Sequence, residues 1–284
     1  MDENFFDTLI QIASRREITC VSNNRTDSIP SISFAQDLEH GEGELRRIDD
    51  SASRCLTEKA ILRGIAYLNN SASNVLKLQS IGSKKLLVER MELSELSDPR
   101  KIVSASSPGR PGTIWISANW YSQTPRRIAG NILHEAFHQL LYLREETGEK
   151  VVRNNSIAYS PWKGLERPGW AVWHSFWTFS GHCVYLADTI SKLDRQYQED
   201  LLEVSIMYLR LVQCYESIKT FRVVVDIDEM QAIDQAMSLV VDRFNIKDKN
   251  DIAWGEEITL QRPKIVSEFN KWGAKIISKF SMSQ

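Results

Sequence analysis

Cysteine is scarce in this chain: 284 residues carry four, Cys20, Cys55, Cys183 and Cys214, with no C-x-x-C pair and no tight cluster. That spacing excludes a zinc-finger set and predicts free thiols rather than a disulfide framework. Neither sign of charge is in excess, with 35 Lys and Arg against 37 Asp and Glu and a pI near 6.3. A balanced surface carries no basic footprint for nucleic acid. No apolar run approaches the roughly 18 residues that a membrane span needs. The first residues, Met1-Asp2-Glu3-Asn4-Phe5-Phe6, are acidic and lack the basic start of a secretory signal. The expectation is a cytoplasmic protein with no membrane and no nucleic-acid partner. Internal repeats and low-complexity tracts are also missing. What remains is ordinary for a globular chain, 42% hydrophobic and 25% charged. Histidine is scarce too, with five in the whole chain.

Two of those histidines stand in HEAFH, residues 134 to 138. His134 and His138 are i and i+4, so on a helix their rings leave the same face one turn apart. Two neutral imidazoles so placed can share one divalent cation, and Glu135 stands beside them as a catalytic base or an orienting carboxylate. The bland alternative is a helix that happens to carry two His. The setting argues for more. Thr124 is a candidate N-cap and Pro125 suits the first helical position. Ala129, Ile132, Leu133, Ala136, Phe137, Leu140 and Leu141 recur at helical spacing, and the polar run from Arg144 to Gly148 ends the helix.

Residues 3–17 and 55–70 also read as helices, and 18–52, broken by Pro30, Gly41 and Gly43, as a long loop. Strands are expected at 85–92 and 113–117, with Ser106 to Gly112 as a turn between them. A loop near 147–167 follows the HEAFH helix. Pro168 opens a second strongly apolar helix to about Asp188, and helices are expected over 192–220, 227–245 and 262–280. The fold class is therefore mainly α with a small β-sheet (α+β). A metal site is expected between the central HExxH helix and the following aromatic-rich helix. Residues 1–100 read as a mostly helical N-terminal region, with a possible substrate-recognition role. Residues 101–284 read as the metal-binding catalytic domain.

A working mononuclear site needs a third protein ligand and an open position. The Gly and His that metzincins require after the second His are replaced by Leu141 and Arg144. Glu166, Glu199 and Glu203 are weak candidates for a thermolysin-like third ligand. His174 is the better candidate. His182 lies eight residues later, about 12 Å along a helix, so both cannot easily serve one ion. Arg167, beside Pro168 at the start of the apolar helix, suits bidentate binding of a carboxylate or a structural ion pair. Trp162, Trp170, Trp173, Phe176, Trp177 and Phe179 crowd the same stretch, as core packing or as the wall of a dry pocket.

HEAFHQLLYL (134–143), followed by SPW, by W-x-x-x-x-R-P (162–168) and by the aromatic-flanked His174, resembles the HExxH-type 2-oxoglutarate-dependent peptide β-hydroxylases of ribosomal-peptide (RiPP) biosynthesis. The resemblance covers roughly residues 110 to 190. It implies a non-haem Fe(II) centre held by His134, His138 and His174. It implies 2-oxoglutarate as co-substrate, with Arg167 on its carboxylate, and a precursor peptide as partner. Trp170, Trp173 and Trp177 would then face the substrate pocket. Two other readings stand beside it. One is a zinc peptidase, in which Glu135 deprotonates a metal-bound water. The other is a peptide-binding maturation protein without catalysis.

Overall fold

The computed structural model describes residues 3–14, 31–34, 45–46, 48, 51–71, 88–96, 103–117, 124–146, 151–190 and 197–250. It is mostly helical with a small mixed sheet, an α+β arrangement. The chain divides into two compact units, Met1–Val151 and Val152–Gln284. Among the described residues no helix is long and apolar enough to cross a membrane. Cys55, Cys183 and Cys214 are free thiols, and Cys20 lies outside the described residues.

In the first unit, α1 (Glu3–Ser14) buries Phe6, Leu9, Ile10 and Ala13, one stripe at helical spacing. The long loop expected over 18–52 instead contains β1 (Ser31–Phe34) and the short β2 (Leu45–Arg46). Then come α2 (Ser51–Ser71), β3 (Arg90–Leu96), β4 (Val103–Ser106), β5 (Thr113–Ser117) and α3 (Pro125–Glu146). The sheet order is β1-β3-β5-β4, with β2 paired to β3 off that path. β1, β3 and β5 run parallel, while β4 folds back antiparallel on β5. The early segments are therefore part of the layer that supports α3. Of the strand expected at 85–92, residues 85–87 lie outside the described residues, and β3 runs from Arg90, in parallel register with Arg90 opposite Thr113 and Leu93 opposite Ile116.

α3 packs on α1, on α2 and on β4 and β5. The α2 crossing is close. A Cβ on Gly64 would stand 2.5 Å from Ile128 Cγ2, so only glycine lets the two helices meet there. Gly112, at φ +73°, ends the β4–β5 loop, and its carbonyl accepts hydrogen bonds from Glu89 and Arg90 amides. On the other side of β5, Trp115 donates to Glu92 at 2.6 Å, with Arg110 over its ring.

In the second unit, the expected 147–167 loop is in part a hairpin of β6 (Ile157–Ser160) and β7 (Leu165–Pro168). Pro168 then precedes α4 (Gly169–Thr189), with α5 (Tyr197–Thr220) and α6 (Ile227–Asn250) after it. α4 is buried around nearly its whole circumference, as an all-apolar helix must be, against α5, α6 and the hairpin. Arg243 of α6 forks onto Asp188 of α4 through contacts of 2.9, 3.2 and 2.9 Å. The helix expected at 262–280 lies outside the described residues.

Candidate metal centre

α3 starts where its sequence says it should. Thr124 Oγ1 accepts from the Arg127 amide at 3.3 Å, its carbonyl accepts from the Ile128 amide, and Pro125 takes the first helical position. Most of the helix is then buried, including Ile132, Leu133, Glu135, Ala136, Phe137, Gln139, Leu140 and Leu141. One stripe is only half-buried: Arg127, Asn131, His134, His138 and Tyr142. These are i, i+4, i+7, i+11 and i+15, a single line along the helix, and every member is polar.

His134 and His138 stand in the middle of that line. Their ring centroids are 5.0 Å apart and their planes cross at 74°. Two imidazoles bonded to one cation at about 2.1 Å, with bonds roughly 100° apart, have centroids about 5 Å apart. That separation is one a shared divalent ion would allow. Tyr142 stacks on the outer side of His138 at 5.9 Å and donates to the Ser106 carbonyl at 3.4 Å.

Glu135 faces β4. Its carboxylate accepts from Ser106 Oγ at 2.7 Å and also hydrogen-bonds Ser104. Burial raises its carboxyl from 4.5 to about 7, against the lowering effect of the two serines. One turn later, Gln139 accepts from the Gly112 amide at 2.8 Å and donates to the Thr113 carbonyl at 3.1 Å. Sequence reading missed Ser104, Ser106 and Gln139. A buried Gln in an apolar helix was a visible signal, but its partners belong to a hairpin whose first strand was not anticipated.

Arg167, His174 and the tryptophans belong to the second unit. Arg167 pairs with Ala158 in the hairpin, on the strand face shared with the buried Ala158 and Ser160. Among the described residues this half-buried guanidinium has no carboxylate partner. His174 is buried on α4, edge-on to Trp170 at 5.8 Å and Trp173 at 5.1 Å. Trp173 and Trp177 are fully buried and both donate to Glu229 Oε1 of α6, at 2.8 and 3.3 Å. Trp170 is 52% exposed, so its ring is open to contact. His182 is buried parallel to Phe179, which stacks on Trp162 at 3.9 Å, and burial lowers its imidazole to about 4. That environment holds His182 neutral within an aromatic stack.

Among the described residues no group of three or more His, Cys, Asp or Glu side chains is gathered as a metal cage. His134 and His138 are thus a two-imidazole pair that a third ligand would complete. No protein-family model matches the chain, and no curated protein is found similar to it.

Proposed function

We propose that the chain is a non-haem Fe(II)/2-oxoglutarate-dependent oxygenase that hydroxylates the β carbon of a side chain in a ribosomally made precursor peptide. The observation that carries the metal-centre part is the His134–His138 pair, 5.0 Å apart on the half-buried stripe of α3. The oxygenase part rests on the sequence resemblance. On the resemblance alone, His174 would be the third imidazole. Iron bound there would supply oxidation driven by decarboxylation of the 2-oxoacid. Arg167 would hold the co-substrate carboxylate through its two-pronged guanidinium, a geometry that lysine lacks. Its freedom from a carboxylate partner among the described residues supports that role. Trp170, Trp173, His174 and Trp177 are i, i+3, i+4 and i+7, one face of α4. Trp170 would meet the peptide, and the buried Trp173 and Trp177 would form the dry wall behind it.

One observation favours the zinc-peptidase alternative. A carboxyl raised to about 7 suits a general base working at neutral pH. The two serines that already engage Glu135 argue against that use. Metal content of anaerobically prepared protein, with succinate release from 2-oxoglutarate, separates the readings. Iron and peptide-stimulated succinate support the oxygenase. Retained zinc with peptide cleavage and no succinate replaces it by the peptidase. No bound metal leaves the non-catalytic peptide-binding reading.

A further inference from the structure

Glu135 is one residue from His134 but turns to another side of α3. At 3.6 residues per turn, His134 and His138 lie within about 40° of each other around the axis, and Glu135 is about 100° from His134. From there to the edge of the histidine stripe, where Asn131 and Tyr142 stand, the helix carries a polar seam. Asn131 meets Ser104 Oγ at 3.4 Å, Glu135 holds Ser106 Oγ at 2.7 Å, Gln139 holds the Gly112 amide and Thr113 carbonyl, and Tyr142 reaches the Ser106 carbonyl. The seam spans β4 and the start of β5, so it ties both arms of the hairpin to the helix. These bonds, buried at Gln139 and part-buried elsewhere, are directional, and rotating α3 would break several at once.

We infer that Glu135 is a positioning residue: through Ser104 and Ser106 it fixes the rotation of α3 and so the direction in which His134 and His138 are presented. The role rests on the reading that this pair holds a metal ion. It differs from the base of a peptidase, whose carboxylate must face the open side of the ion. It also gives the glutamate of HEAFH a function in an oxygenase, where no water needs activating.

Cobalt(II) is a suitable probe, because its visible absorption reports the geometry of its ligands. It is titrated into metal-free full-length protein, as wild type, Glu135→Gln, Glu135→Ala, Ser106→Ala and the Ser104→Ala/Ser106→Ala double variant. Orienting partners of metal ligands typically contribute 10- to 100-fold in affinity. Glu135→Ala and the double serine variant should therefore bind cobalt at least about ten-fold more weakly, with an altered spectrum. Glu135→Gln keeps an acceptor for Ser106 and should restore most of the affinity and the wild-type spectrum. The milder Ser106→Ala should shift the spectrum in the same direction, and it serves if the double variant does not fold. Serine and alanine variants that match wild type in affinity and spectrum overturn the positioning role and leave the metal reading standing. A wild type that takes up no cobalt overturns both.

Discussion

Replacing Glu135 with glutamine should stabilise the metal-free protein at pH 8 and leave it unchanged at pH 4. The carboxyl is 2% exposed, and burial lifts it from 4.5 to about 7. Below pH 4.5 it is protonated in both folded and unfolded chains, so glutamine changes little. Between 4.5 and about 7 the unfolded chain ionises while the folded one keeps its proton. Wild-type stability falls across that window, and the loss is complete above it. That rise corresponds to about 3 kcal/mol. Glutamine never ionises, yet its carbonyl still accepts from Ser106, so it avoids the loss. For a unit of about 150 residues, each kcal/mol moves the melting temperature by about 2–4 °C, giving a gain of roughly 6–12 °C at pH 8. Thermal melts of both proteins in chelator at pH 4, 6 and 8 provide the assay. A constant difference across pH, or a variant less stable at pH 8, would refute the account of Glu135 as a buried carboxyl ionised against its environment.

His134→Ala or His138→Ala should abolish stoichiometric metal binding, read by elemental content; full iron in either variant ends the assignment of the pair. His174→Ala should weaken metal binding and stop turnover while His182→Ala does less, since His182 is buried in the stack with Phe179; iron loss confined to the His182 variant reverses the choice. Arg167→Lys should keep metal content but raise the 2-oxoglutarate half-saturation about ten- to a hundred-fold, from a loss of roughly 1.5–3 kcal/mol in charge-assisted bonding. Identical titration curves would move the anchor elsewhere, with Arg126, Arg127 and Arg153 next to test. Glu229→Leu should destabilise the protein by about 3 kcal/mol, because the Trp173 and Trp177 indoles lose a shared buried acceptor. Denaturant melts check this, and a Glu229→Gln variant should recover most of the loss.

The helices that carry the candidate site were legible because helix signals are local. Thr124 and Pro125 mark the start of α3, Pro168 precedes α4, and apolar spacing marks what each buries. The spacing of HEAFH alone places two imidazoles on one helical face. The strands were harder. β1, β2, β4 and the β6–β7 hairpin are all short and weakly patterned: β1 and β2 exist because β3, far along the chain, pairs with them, whereas β4 and the β6–β7 hairpin pair with sequence neighbours but carry too little alternation to stand out. Charged and polar side chains followed the same division. Sequence marks Glu135 as a candidate base, but only tertiary packing turns it toward Ser104 and Ser106. Sequence marks an aromatic cluster, but only packing commits Trp173 and Trp177 to Glu229, 52 or more residues away, and leaves Trp170 exposed. Helical periodicity determines which residues share a face. What that face meets depends on contacts between segments far apart in the chain, and these form only when the whole unit closes around them.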